Sequence, residues 1–211
     1  MLSLYANNIH SEEEDCVKEK ILSLFKRFNI SEGRLLEINT FETNIAEYIA
    51  EEFPALHWIC SSEKKNHTAI KNCLIKAKLP NIHGPETFML GKDDFPGKRP
   101  FDYVFIEETL SYLSWKENKA LFKLLGKRLR ESSLVILHET VAFGEGEMSS
   151  ELKKEDRLLK EKNPQFGIRH FDNIVQAMDK NGFKLLEKEN VADPSGGDTT
   201  LMVFERRAFK A

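Results

Sequence analysis

Residues 34–63 read as a strand, an amphipathic helix and a second strand, the repeating unit of a parallel sheet. No other stretch constrains the fold as much. The first strand runs from Leu35 to Asn39; Ile45, Ala46, Ile49, Ala50 and Phe53 then recur on one helical face, and Leu56-His-Trp-Ile-Cys60 follows a proline. Parallel neighbours need a crossover connection, and a helix of this length supplies one. Between strand and helix the chain reads Asn39-Thr-Phe-Glu-Thr-Asn44, without a glycine.

The remaining elements follow the same alternation. Ser11-Glu-Glu-Glu14 is a capping box, a hydroxyl three residues before a carboxylate that reaches back, and it opens a helix carrying Val17, Ile21, Leu24, Phe25 and Phe28. A helix through Ile70, Cys73, Leu74 and Ala77 leads, past a connection containing proline and glycine, to a short strand near Thr87–Leu90. Phe101–Ile106 and Leu134–His138 are nearly continuous apolar runs, as in strands buried on both faces. Ser114-Trp-Lys-Glu117 is a second capping box, opening a helix to about Arg130. A charged helix over Glu151–Lys162 follows, then one from Phe171 to the stop at Asn181-Gly182. Strands Phe183–Glu189 and Thr200–Arg206 flank the turn Pro194-Ser-Gly-Gly197. The pattern predicts an α/β fold, a Rossmann-like doubly wound sheet of about seven strands with an antiparallel C-terminal hairpin. We expect one domain over residues 1–211: a helical segment 1–33, a core 34–138, and lid helices with the closing hairpin over 139–211.

Composition narrows the partners. With 211 residues, 41% hydrophobic and fifteen Phe, the chain can bury a full core. A formal charge of -3 argues against broad nucleic-acid binding. Cys16, Cys60 and Cys73 are odd in number and lack CxxC spacing, so neither a disulfide framework nor a zinc site is indicated. His10, His67 and His83 show no HxH or HExxH spacing either, so no transition-metal site is indicated and no metal ligands are assigned. With no apolar run of membrane-spanning length and no signal peptide, the expectation is a cytoplasmic protein without a membrane or nucleic-acid partner.

Specific residues resemble a known family. Leu36-Glu-Ile38, Ala46, Tyr48, Ala50-Glu51, Pro54 and Trp58 match, without a gap through Ser62, the pattern L-E-I-x-S-G-T-G-Q-H, helix, L-P-x-L-x-W-Q-P-S-D. Phe101-Asp102 and Trp115, Asn163-Pro-Gln-Phe-Gly-Ile-Arg169 and Met202-Val-Phe204 fit further family segments. Nearly the whole chain thus resembles a short class I methyltransferase-like family of unknown function, which takes in methyltransferase-like protein twenty-six. The resemblance implies a class I methyltransferase fold and S-adenosylmethionine as cofactor, at positions that fall here on Glu37, Asn39, Thr40, Phe41, Ser62 and Glu63. The N-P-Q-F-G-I-R element is its most specific part, because helix or strand packing does not dictate those residue types.

The departures concern the cofactor. The family's glycine positions fall on Asn39, Phe41 and Thr43, and its ribose-binding acid falls on Ser62, with Glu63 one place late. A non-glycine residue held in the left-handed region costs about 1–2 kcal/mol. Phe41 is expected to project into the space a methionine moiety fills, and Glu42 to repel its carboxylate. Losing two charge-assisted hydrogen bonds, about 1.5–3 kcal/mol each, weakens binding roughly a hundredfold or more. Glu63 restores part of this if the turn bulges by one residue.

Beyond the strand ends, where ligands of such sheets bind, lie Glu63, Asp93-Asp94, Glu107-Glu108 and His138-Glu139. Such a gathering either binds a divalent metal, holds a cationic substrate with His138 as base, or is a set of ordinary solvated turns. Glu108 stands where the family has Asn, and His138 ends a buried strand, facing the pocket or capping the edge. These two are the candidate catalytic residues, as acid and base. Arg169 either organises a lid or ties it to the sheet. Three readings remain: a binding or regulatory module with weakened or lost S-adenosylmethionine binding, whose pocket Phe41 fills; an active small-molecule methyltransferase with Glu63 as the ribose acid; or an enzyme without S-adenosylmethionine that uses Glu108 and His138. The ligand, a small molecule or a protein, and the oligomeric state are not legible.

Overall fold

The computed structural model describes residues 16–144, 148–191 and 199–208. The capping box at Ser11–Glu14, His10, the turn Pro194–Gly197 and the tip of the loop after Phe143 lie outside them. Helix α1 covers 16–27. It is followed by β1 (Glu32–Ile38), α2 (Asn44–Glu52), β2 (Ala55–Ser62), α3 (His67–Ala77), β3 (Ile82–Thr87), β4 (Tyr103–Glu107) and α4 (Trp115–Arg128). Then come β5 (Leu134–Glu139), β6 (Val141–Ala142), α5 (Ser150–Lys162), β7 (Arg169–His170), α6 (Phe171–Lys180), β8 (Phe183–Val191) and β9 (Thr199–Arg206).

Among the described residues, seven strands form one sheet in the order β3-β2-β1-β4-β5-β9-β8, and β6 pairs with β7 apart from it. The strands from β3 to β5 are parallel; β9 runs antiparallel to β5 and β8 to β9. This is the α/β doubly wound arrangement with a closing antiparallel pair that the sequence pattern predicts.

The two sheet faces are covered by different helices. Leu121, Phe122 and Leu125 of α4 and Ile174, Ala177 and Met178 of α6 pack over Leu36, Val104 and Leu137. On the other face Ile21, Leu24 and Phe25 of α1, Ala46, Ile49 and Ala50 of α2 and Ile70 of α3 pack over Leu35, Trp58 and Phe105. Helix α4 starts where the sequence places it: the Glu117 amide donates to Ser114 Oγ (3.2 Å) and Glu117 Oε2 accepts from the Ser114 amide (2.8 Å). The third strand differs from expectation. It spans Ile82–Thr87 rather than 87–90, so Gly84 and Pro85 lie inside it. It is an edge strand, which tolerates proline. Gly84 has φ +108°, and a Cβ there would stand 2.5 Å from the Cys60 carbonyl oxygen, so only glycine fits the bend.

Candidate functional site

The order of the strands reverses between β1 and β4, and the crevice at their carboxyl ends is where a doubly wound sheet holds ligands. A cleft of about 690 Å³ opens there. Glu37 and Asn39 reach it from the end of β1, Glu107 and Glu108 from β4, His138 from β5, and Glu63 from the turn after β2. Phe41, Glu42, Asn44 and Ile45 from the start of α2, Val17 from α1, and Lys65, Asn66 and Tyr112 complete it. A second cleft of about 450 Å³ shares Asn39, Glu63 and Tyr112 and is otherwise walled by residues such as Phe88, Leu90, Leu113 and Phe166.

Of the cofactor-binding candidates, Glu37, Asn39, Phe41 and Glu63 meet at the first cleft, while Thr40 and Ser62 do not line it. Asn39 takes the left-handed conformation with φ +64°, so of the three glycine positions only this one needs positive φ. Asparagine is among the few side chains that tolerate it. Thr40 is buried and turned toward β2, its Oγ1 accepting from the Ser61 amide (3.2 Å). Phe41 is 79% exposed. It lines the cleft from this exposed position and does not fill it, contrary to expectation. Ser62 is fully buried beneath the β2 turn, where its Oγ accepts from the Asn66 side-chain amide (3.0 Å). The acid that faces the cleft is Glu63, ion-paired with Lys65 at 2.8 Å.

Acids lie in the cleft, with Glu139 next to Glu108 but outside its lining. Glu37 accepts from the Trp58 indole (2.7 Å), and burial pushes its carboxyl up to about 8 against that bond. Glu108 has φ +42° and accepts from the amide (3.2 Å) and hydroxyl (3.3 Å) of Thr140; burial raises its pKa as well. Glu139, one of the strand-end acids but not a catalytic candidate from the sequence, is deeply buried and accepts from the amides of Thr109 (2.9 Å) and Leu110 (3.0 Å). Burial, then the neighbouring charge of Glu108, hold its carboxyl well above the usual range. His138 stands between Glu107 Oε1 (3.0 Å from Nδ1) and Thr199 Oγ1 (2.8 Å from Nε2). It both faces the cleft and ties β5 to β4 and β9. Glu37, whose carboxyl holds a proton up to about 8, lines the cleft and can exchange that proton with a bound ligand.

Other candidates lie elsewhere. Asp93 Oδ2 accepts from the Met89 amide (2.7 Å), the ordinary turn reading. His57 and His83 meet each other across β2 and β3, Nδ1 to Nε2 at 2.9 Å. Asn163 lines the second cleft, while Arg169 lines neither. Among the described residues no group of three or more His, Cys, Asp or Glu is arranged to hold a metal ion, and no helix is long and apolar enough to cross a membrane. Residues that sequence reasoning missed, such as Tyr112, Lys65 and Val17, come from three different elements, and only the tertiary fold gathers them.

A family model described as protein of unknown function (DUF938) matches residues 10–205. No curated protein matches the chain. Solved structures share its fold. The O-methyltransferase family 2 protein of Planctomyces limnophilus, in complex with apigenin, is 12% identical with a TM-score of 0.72, covering 83% of this chain and 50% of that one. PigF with SAH is 14% identical with a TM-score of 0.73, covering 95% and 66%. An O-methyltransferase family protein from Burkholderia thailandensis is 9% identical with a TM-score of 0.69, covering 93% and 60%. The chain spans about half the length of the first methyltransferases it matches, 49–51%. At such identities the likeness is one of fold: a class I methyltransferase fold.

Proposed function

The chain belongs to the family described as protein of unknown function (DUF938), and on that premise we propose that it is a methyltransferase-fold binding protein. In this reading its cleft takes a small cation-bearing ligand and holds S-adenosylmethionine only weakly. The observation that carries the reading is the charge of the cleft. Among its described residues Glu42, Glu63, Glu107 and Glu108 stand against a single lysine, Lys65, which is already paired with Glu63, while Glu37 keeps its proton up to about pH 8 and adds no charge at neutrality. The amino end of a helix normally welcomes an anionic group. Here α2 begins beside Glu42 and carries Glu47 in its first turn, so that field is already answered by the chain's own acids. A ligand carboxylate meets repulsion at that end, and a sulfonium or ammonium meets attraction.

A second reading, a divergent S-adenosylmethionine-dependent methyltransferase, is favoured by Glu63. It faces the cleft one residue beyond the usual acid position, and with Asn39 in the left-handed region and Phe41 exposed the space is open. Calorimetry separates the two. S-Adenosylmethionine, its decarboxylated form and S-adenosylhomocysteine differ in the groups that the charge argument concerns. We expect the decarboxylated compound to bind about tenfold or more tighter than S-adenosylmethionine, a difference of about 1.4 kcal/mol, with the uncharged thioether of S-adenosylhomocysteine weakest. Phe41→Gly leaves these affinities unchanged. Equal micromolar binding of S-adenosylmethionine and S-adenosylhomocysteine, abolished in Glu63→Gln, overturns the binding-protein reading in favour of the enzyme.

A further inference from the structure

One wall of the cleft is not a strand. Residues 108–114, which join β4 to α4, carry Glu108 and Tyr112 into it and separate it from the second cleft. This wall is short and irregular: Glu108 sits at φ +42° and Leu110–Tyr112 form a single tight helical turn. Such a turn leaves amides unsatisfied at its start and carbonyls at its end, and its own length cannot satisfy them.

Two polar side chains from outside the turn do so. Glu139, from β5, takes the amides of Thr109 (2.9 Å) and Leu110 (3.0 Å). Arg169, from β7, donates from Nε to the Leu110 carbonyl (3.2 Å) and from Nη2 to the carbonyls of Leu113 and Gln165, the latter at 3.0 Å. A carboxyl oxygen at the amide end and a guanidinium at the carbonyl end satisfy the turn at both ends. The flanking residues of the same element join in. The Gly167 amide donates to the Ser111 carbonyl (2.9 Å), and the Phe166 ring meets Tyr112 edge-on, with centroids 5.8 Å apart. Gly167 itself has φ +146°, and a Cβ there would stand 2.6 Å from Asp156 Oδ1, the atom that accepts the Ile168 amide.

We propose that Arg169 is a positioning residue which, with Glu139, clasps the 108–114 turn and so presents Glu108 and Tyr112 to the cleft. The N-P-Q-F-G-I-R element then serves the site from behind and has no need to touch the ligand. The clasp requires arginine, because a planar fork spans separate carbonyls and a single ammonium does not. The inference rests on reading the cleft as a ligand site, but its test does not depend on any ligand.

The test compares wild type with Arg169→Gln and Arg169→Lys in two readouts: amide hydrogen exchange over residues 109–113, and the carboxyl titration of Glu108 followed by carbon NMR. In Arg169→Gln we expect exchange in this segment to accelerate about tenfold or more while β1 and β2 keep their protection. The Glu108 midpoint moves down toward the ordinary carboxylate range as water reaches it. Arg169→Lys restores neither. The proposal is overturned if both readouts stay at wild-type values in Arg169→Gln, or if Arg169→Lys restores them, since charge alone then suffices. It is also overturned if neither variant folds, because Arg169 is then a global folding element. S-Adenosylmethionine calorimetry on the same samples reads the proposed function separately, and wild type that binds none leaves the clasp readouts intact.

Discussion

At the scale of single residues, Glu37 makes stability depend on pH in the direction opposite to most acids. Its carboxyl is pushed up to about 8 in the fold, from 4.5 for an ordinary glutamate, so the folded chain holds a proton that the unfolded chain gives up. Stability from this group is complete below about pH 4.5, drains as the pH rises, and is gone above about 8. The slope in that window is about 1.4 kcal/mol per pH unit. Melting temperatures taken from pH 5 to 8.5 are expected to fall in the wild type. The fall should be shallower in Glu37→Gln, whose amide oxygen still accepts the Trp58 indole proton; equal slopes would show that Glu37 does not titrate there. Residue-level detail was also the least legible from sequence. Position at strand ends places Glu63, Glu108 and His138 near the site, the family resemblance adds Glu37 and Asn39, and the structure brings the five together. The direction of Phe41 and the exchange of Ser62 for Glu63 depend on turn dihedrals that no residue type sets. Glu139 was visible only as one more acid after an apolar strand.

At the scale of elements, legibility followed periodicity and capping chemistry. The strands Tyr103–Glu107 and Leu134–Glu139 were readable because each is apolar on both faces, and α4 because its first turn is written in Ser114 and Glu117. The two-residue strands β6 and β7 carry no period and left no mark in the sequence. The edge strand β3 was displaced in our reading because Gly84-Pro85 looks like a turn and is an edge irregularity. The N-P-Q-F-G-I-R element was recognised as distinctive, but its purpose is spelled by residues some sixty positions earlier, Leu110 and Leu113. The capping box itself can be weighed. Ser114→Ala removes an acceptor for the Glu117 amide and is expected to cost about 1 kcal/mol. Urea unfolding would measure this as a lower midpoint at unchanged slope, and a midpoint equal to that of wild type would mean that the cap adds nothing to α4.

For the whole molecule, the N-terminal helix is part of the core and not an appendage. Ile21, Leu24 and Phe25 are buried in the layer over Trp58 and Phe105. Each fully buried side chain of this size contributes about 1.5–3 kcal/mol, so together they approach the roughly 5–15 kcal/mol that holds a typical domain folded. A chain beginning at Ser31 is expected to lose its cooperative thermal transition by circular dichroism, and a sharp transition in that truncation would contradict the packing argument. The ion pairs that join α1 to β8, Lys20–Glu189 and Arg27–Glu187, are partly exposed and contribute little beside that burial. Strand β9 sets a different condition on how the molecule is made. Among the described strands it comes last in sequence, yet it lies inside the sheet, hydrogen-bonded to β5 on one side and β8 on the other. Until the ribosome has delivered Thr199–Arg206, the apolar strand Leu134–Glu139 presents a bare edge, a template on which another nascent chain can pair. A premature stop just short of that strand therefore yields a product that clumps rather than a slightly loosened protein, and chaperone demand during translation falls once that strand has emerged.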